Sequence, residues 1–357
     1  VGLLKRLWLK SLAKQNNYPD IIFLGQPNCG KSTLFNAIAG FKAETSNFPG
    51  TTVEHTHSSV NFKGKLLNII DLPGTYSLYP SGEVEKVALT HVFVDKPDLV
   101  VNVVDASILG RSLEMTLELI ELGYPLVVAL NMMDLAEKKG IEVNIKSLEN
   151  LLGVPVIPTI APHGRGIKEL LDTILTALSE KKTPSPIEWS KDVEDRIVEL
   201  EELIPPDFPI VSNKRFTAVK MIEAERLVFN RMLREINPSL KKSLDKIRGE
   251  LEAQHNAPAY EVIAAERHHL AFKIFEESCR VTRRKKIGWQ ERVDDIIMHP
   301  LLGYVILLGV FLAFFIVIFK VGNPLEELLL GPLNGLKDYL AVHLGRSLLF
   351  FLTEGLI

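Results

Sequence analysis

Eight residues near the start of the chain, Gly25-Gln26-Pro27-Asn28-Cys29-Gly30-Lys31-Ser32, follow the spacing G-x-x-x-x-G-K-[ST]. That spacing binds phosphate only when the glycines form a tight loop between a buried strand and a helix. The motif therefore restricts the fold to a sheet with helices packed on it. In such a loop backbone N–H groups wrap the α- and β-phosphates, Lys31 reaches the β/γ oxygens, and the Ser32 hydroxyl ligates Mg²⁺. The helix starting near Lys31 turns its positive dipole end toward the same phosphates. All eight residues, with the adjoining Thr33, are candidate nucleotide contacts.

The flanking sequence supplies the required context. Ile21–Leu24, Leu66–Ile70, Leu99–Val104, Leu126–Leu130 and Val154–Ile157 are short apolar runs that read as strands. Lys31–Ala39, Glu83–Val94, Ser112–Leu122, Ile145–Leu152 and Ile167–Leu178 read as helices between them. This alternation predicts an α/β domain over 20–182, with a mostly parallel sheet and helices on both faces. Loops at the carboxyl ends of such strands form the binding crevice.

Three more elements occupy those strand ends. Asp71-Leu72-Pro73-Gly74 closes one strand, where the aspartate can hold Mg²⁺ and the Gly74 N–H can sense a γ-phosphate. Before it lies Asn47-Phe48-Pro49-Gly50-Thr51-Thr52, a polar loop in which Thr51 or Thr52 could complete the Mg²⁺ shell only when the γ-phosphate is present. Asn131-Met132-Met133-Asp134 ends a later strand. Its spacing matches the guanine-reading N-K-x-D, with Asp134 accepting from guanine N1–H and the 2-amino group, and Met132 covering the ring by dispersion. Ile160-Ala161-Pro162 follows the last strand and is a candidate for backbone contacts to the base. Thr75 stands where Ras-type enzymes carry the glutamine that orients water, which predicts slow intrinsic hydrolysis.

Beyond this domain the punctuation changes. Pro184, Pro186, Pro205, Pro206 and Pro209 interrupt the chain, and Arg215–Ile236, Leu240–His255 and Tyr260–Arg280 read as helices of an all-α domain over 183–285. A basic juxtamembrane segment, 286–300, leads to Leu301–Phe319, a run without a charged residue. That run, assigned with its next residue as a transmembrane helix over 301–320, is just long enough to cross a bilayer. Arg283, Arg284, Lys285, Lys286 and Arg292 place everything N-terminal to it in the cytoplasm. Residues 321–357 read as interfacial stretches and the start of a further membrane region. Residues 1–19 form a basic amphipathic segment that suits either an anionic membrane surface or the protein itself.

Composition narrows the partners. The net charge of -3 offers no basic excess for nucleic acid, and two cysteines among 357 residues provide no disulfide framework. His268-His269 and His55/His57 lack metal-site spacing and read as incidental. Cys29 reads as a small side chain filling a variable loop position, although a helix N-terminus can activate a thiol.

The loop GQPNCGKS, the segments NFPGTT and DLPGTYS, and NMMD with Met in place of Lys together resemble the FeoB family of prokaryotic ferrous-iron transporters. The order of GTPase domain, helical spacer and membrane segment is similar to that family's as well. The resemblance implies GTP/GDP and Mg²⁺ as ligands, and Fe²⁺ as the cargo of the full-length protein. It selects Thr52 as the Mg²⁺ threonine, and it implies that the helical spacer slows nucleotide release. It also matches Asn28 to an asparagine associated with K⁺-stimulated hydrolysis in related GTPases. On this basis Lys31, Thr52, Gly74 and Asn28 form the candidate catalytic set, and a homo-oligomer is open. Two rival readings are a soluble ribosome- or RNA-associated GTPase and a membrane-tethered nucleotide switch without transport. Leu301–Phe319 counts against the first.

Overall fold

The computed structural model describes residues 18–40, 44–47, 54–78, 89, 92–93, 96–206, 208, 212–223, 238–282, 293, 296–322, 324 and 330–332. Two compact units are present, residues 1–284 and 285–357.

In chain order the first unit contains β1 (Asp20–Gly25), α1 (Lys31–Ala39), β2 (Glu44–Asn47), β3 (Glu54–Phe62), β4 (Lys65–Asp71) and β5 (Leu99–Asp105). These are followed by α2 (Leu109–Leu122), β6 (Leu126–Asn131), α3 (Met133–Lys138), β7 (Ile141–Val143), α4 (Ile145–Leu152), β8 (Val156–Pro158) and α5 (Ile167–Glu180). Seven strands form one sheet in the order β2-β3-β4-β1-β5-β6-β8. From β4 to β8 all neighbours run parallel, with Phe23 beside Asp71, Gly25 beside Val103, Asp105 beside Asn131 and Leu130 beside Pro158. This register brings the carboxyl ends of β1, β4, β5, β6 and β8 to one edge of the sheet.

β5 shows why the sheet is covered on both sides. All seven of its residues are buried. Val100 and Val104 face α2 and α4, joining Leu113, Leu117, Ile120, Leu148 and Leu152 in one core. Leu99, Val101 and Val103 face α1 and α5, where they meet Leu34, Phe35, Leu170 and Ile174. A run apolar at every position, with faces alternating residue by residue, is the pattern of a central parallel strand.

The sheet departs from the sequence pattern at its β2–β3 edge. β2 pairs antiparallel with β3, and β3 antiparallel with β4. Glu44–Asn47 and Glu54–Phe62 are mostly polar, so no apolar run announces these strands. β8 begins at Val156, two residues later than expected, after Pro155. The expected helix Glu83–Val94 lies almost wholly outside the described residues.

Among the described residues the helical region consists of α6 (Lys191–Leu203), α7 (Lys214–Glu223), α8 (Pro238–His255) and α9 (Ala259–Ser278). α6 is an addition to the sequence reading. Its apolar positions Val193, Ile197 and Leu200 lie among acidic residues and are buried against Val219, Ile222, Leu244, Ile247, Leu251 and Ile263. Residues 224–237 of the expected helix Arg215–Ile236 lie outside the described residues. α9 stops at Ser278, where the chain extends into β9 (Cys279–Val281) and pairs antiparallel with β7. Phe216 and Ala271 join the core beneath α2, so the helical region is packed on the sheet domain.

In the second unit, α10 (Leu302–Val317) continues through a π-helical turn, Ile318–Gly322. Leu302–Lys320 spans 19 residues with mean hydropathy 2.9, and none of its apolar window is buried. At about 1.5 Å per residue this helix matches the roughly 30 Å of bilayer hydrocarbon. His299 Nδ1 accepts from the Leu301 and Leu302 N–H groups at 3.2 Å each, capping the helix start.

Candidate functional site

β1 runs without interruption into the glycine loop. Asn28 (φ 67°) and Gly30 (φ 81°) adopt left-handed backbone, and α1 begins immediately after, with the Leu34 N–H on the Gly30 carbonyl at 2.9 Å. Gly30 is required twice, because a side chain there would adopt an unfavourable φ and strike the Asn131 carboxamide. Asn28 and Thr33 are exposed, and Cys29 is buried beneath the loop. Burial pushes the Cys29 thiol up to about 11, against the helix and the nearby Lys31, so the thiolate is not formed near neutral pH.

The end of β4 meets the start of α1. Lys31 Nζ is paired with Asp71 Oδ1, both residues being more than nine-tenths buried. The Ser32 hydroxyl donates to Asp71 Oδ2 at 2.9 Å. The D-x-x-G segment is then tied to the loop, with the Thr75 N–H on the Gly25 carbonyl at 3.1 Å. Gly74 lies so close that an added Cβ would come within 3.1 Å of the Pro27 backbone. Thr75 itself is buried, and its hydroxyl donates to the Ser77 carbonyl at 2.7 Å. It therefore cannot take the place of a water-orienting glutamine.

On the other side of the loop Asn131 ends β6. Its Nδ2 donates to the Cys29 carbonyl at 3.0 Å, while Oδ1 accepts from the Ala161 N–H at 3.1 Å and the Thr159 hydroxyl at 3.2 Å. The carboxamide thus joins three strand ends. Met132 takes left-handed backbone (φ 60°), and its methyl group lies beside Gly30. Asp134 sits in the first turn of α3, half-buried, with no hydrogen-bond partner among the described residues. Ile160 and Ala161 are buried, and the Ile160 N–H is held by the Arg165 carbonyl at 3.1 Å.

The structure thus gathers Gly25 to Ser32, Asp71, Gly74, Asn131, Met132, Asp134, Ile160 and Ala161 at one sheet edge. Thr51 and Thr52 lie outside the described residues. Two contributors escaped the sequence reading. Thr159 braces Asn131, and the Arg111 carbonyl accepts from the Gln26 carboxamide at 3.2 Å, tying the loop to α2. Neither Thr159 nor Arg111 belongs to a motif, and only their proximity in the fold identifies them. Among the histidines, His268 Nδ1 lies 2.7 Å from Glu114.

Comparison with known proteins agrees with this geometry. Residues 19–174 match the family model described as ferrous iron transport protein B, and residues 189–280 match that of the FeoB cytosolic helical domain. A mutant of S. thermophilus NFeoB bound to GDP superimposes with a TM-score of 0.68 at 30% identity, covering 73% of this chain and 100% of that one. The chain belongs to the FeoB family. The cytosolic domain of L. pneumophila FeoB gives a TM-score of 0.64 at 31% identity, covering 73% of this chain and 99% of its own. The T. maritima FeoB cytosolic domain, in its GMPPNP form, gives 0.62 at 27% over the same shares. The Fe(2+) transporter FeoB of Escherichia coli K12 is 33% identical over 313 residues, which is 85% of this chain and 39% of the relative. The chain therefore spans about two-fifths of the length of the curated FeoB relatives it matches.

Proposed function

We propose that this chain binds guanine nucleotide, hydrolyses GTP slowly, and forms the cytoplasmic portion of a ferrous-iron transporter whose GTP state is coupled to Fe²⁺ uptake. The observation that carries the proposal is the convergence of Lys31, Ser32, Asp71, Asn131 and Asp134 on one sheet edge in a FeoB-family chain. The glycine loop binds the phosphates through backbone N–H groups, and the half-buried Asp134 carboxylate reads the guanine edge. ATP lacks the matching donors and would leave that carboxylate unpaired.

Lys31 and Asp71 would exchange partners when nucleotide binds. Their mutual pair keeps two buried charges satisfied, and Lys31 turns to the β/γ oxygens when these arrive. Ser32 Oγ and Asp71 Oδ2, 2.9 Å apart, form an oxygen donor set that suits a hard divalent cation, with Thr52 as the third candidate. Mg²⁺ there would supply charge neutralisation for the phosphates. Asn28, exposed at the loop tip, is the candidate K⁺ contact. With the Thr75 hydroxyl committed to Ser77, orienting the attacking water falls to backbone groups, and turnover is slow.

Leu302–Lys320 is the candidate membrane span, with the GTPase and helical regions on the cytoplasmic side of the inner membrane. Competition binding and phosphate release test the nucleotide reading. GTP and GDP should displace a fluorescent GDP analogue where ATP does not, and Lys31→Ala should abolish multiple-turnover phosphate release. Equal displacement by ATP would overturn it.

A further inference from the structure

Away from the nucleotide loops, one buried carboxylate connects the two halves of the first unit. Glu118 lies on α2, in the sheet domain, and is 2% exposed. Both cations facing it come from the helical region. Lys220 Nζ, on α7, is 3.5 Å from Glu118 Oε1, and the Arg267 guanidinium, on α9, is 3.2 Å from the same oxygen. The other oxygen, Oε2, accepts the backbone N–H of Leu78. Leu78 stands four residues beyond Gly74, in the segment tied to the glycine loop through the Thr75 N–H and the Gly25 carbonyl.

The two cations are also fixed from behind. Glu223 on α7 receives Lys220 at 2.7 Å and Arg267 at 2.9 Å, and Arg267 lies over the Trp189 ring at 5.6 Å. Glu118 is thus a charged acceptor with little freedom of its own. A carboxylate makes a stronger bond to an amide than a neutral group does, and loss of that bond would orphan a buried N–H. Any displacement of α7 or α9 against α2 would pull Glu118 away from Leu78.

We propose that Glu118 is a positioning residue for the segment following Asp71-Leu72-Pro73-Gly74, and that the helical region sets its position through Lys220 and Arg267. The inference rests on reading that segment as part of a GTPase site. Within such sites the chain after D-x-x-G must be placed correctly when the γ-phosphate is present. A side chain that fixes its amide from outside the pocket would act on turnover more than on GDP affinity.

The test uses the full chain, with Glu118→Gln, Lys220→Met and the double substitution. Glutamine keeps an acceptor oxygen of the same shape but discards the charge that answers the two cations. Each single substitution should lower kcat by about tenfold while GDP affinity stays within about twofold. The double substitution should be no slower than the slower single one, because both act through the same amide. Unchanged kcat in the folded variants, or effects that multiply, would overturn the proposal. A purely structural role would lower Tm and leave kcat at permissive temperature untouched. Hydrogen exchange at the Leu78 amide of the unmutated chain decides the matter if the variants fail to fold. Protection that differs between GDP and a non-hydrolysable GTP analogue supports the coupling, and identical protection in the two states overturns it. Absence of GTP turnover in the unmutated chain would count against the GTPase reading itself, and the exchange measurement, which needs only bound nucleotide, would still decide the coupling.

Discussion

Asn131 donates its carboxamide N–H to the Cys29 carbonyl at 3.0 Å, joining the end of β6 to the glycine loop that follows β1. Because its oxygen simultaneously accepts from Ala161 and Thr159, one side chain aligns the phosphate loop with the loop expected to contact the base. Asn131 is therefore a brace within the site, in addition to belonging to the N-x-x-D pattern.

Asn131→Ala should weaken nucleotide binding and thermal stability together. Three hydrogen bonds disappear, and the Cys29 carbonyl and Ala161 N–H lose a buried partner, a loss of about 1–3 kcal/mol per orphaned group. Titration with a fluorescent GDP analogue should show at least tenfold weaker binding, and the melting temperature without nucleotide should fall too. A variant that loses GDP affinity with an unchanged melting temperature would argue for a base contact and against the brace.

Asp134→Asn should weaken GTP binding by about 2–4 kcal/mol, because an amide cannot accept from both guanine donors. Preference should shift toward xanthine nucleotides, whose C2 oxygen accepts where guanine donates. Xanthosine triphosphate competing no better against the variant than against the unmutated chain would remove Asp134 from base recognition.

K⁺ should raise kcat relative to Na⁺ if Asn28 contributes to a cation site beside the transferring phosphoryl group. Asn28→Ala should then remove the difference and leave the slow basal rate. Asn28 also holds left-handed backbone at φ 67°, so Asn28→Gly is the control that keeps the loop shape while deleting the carboxamide. K⁺ stimulation that survives in Asn28→Gly would confine the residue to loop geometry.

Glu121 predicts a pH dependence of stability. It is fully buried on α2 with neither oxygen hydrogen-bonded among the described residues, and its closest cation, the Arg267 guanidinium, is 3.6 Å away. Glu118 on the same helix, Lys220 and Glu223 on α7 and Arg267 on α9 all face it. Burial pushes its carboxyl up from 4.5 to about 7, with Arg267 and Lys220 opposing and Glu223 and Glu118 assisting. The folded state therefore holds a proton that the unfolded state releases, so this group's contribution to stability is lost as pH rises from about 4.5 through about 7. Glu121→Gln should remove that loss, with a gain over the unmutated chain at pH 8 on the order of 3 kcal/mol and little difference at pH 4.5. Denaturant unfolding at the two pH values measures the difference. Equal effects of the substitution at both would show that Glu121 does not titrate in this range.

The sequence by itself determined the sheet domain, the phosphate loop and the membrane-length helix. Each rests on a local pattern that chain geometry translates directly. Val100 and Val104 against Leu99, Val101 and Val103 follow from a side-chain period of two, and Leu301–Phe319 from length and the absence of charge. The motif residues could be read because backbone chemistry at a strand end dictates residue type as well as spacing. Tertiary structure alone decided the rest. β2, at the sheet edge, and its neighbour β3 are polar strands specified by pairing partners rather than by apolar periodicity. The double duty of Asn131, the Lys31–Asp71 pair and the Glu118 contacts join positions 102, 40 and up to 149 residues apart. Such contacts depend on where helices and strands dock, and a buried acid on an amphipathic helix looks in sequence like any solvated one. Burial, which no local pattern encodes for Glu118 or Glu121, converts those carboxylates from surface charges into an anchored acceptor and a proton-binding group.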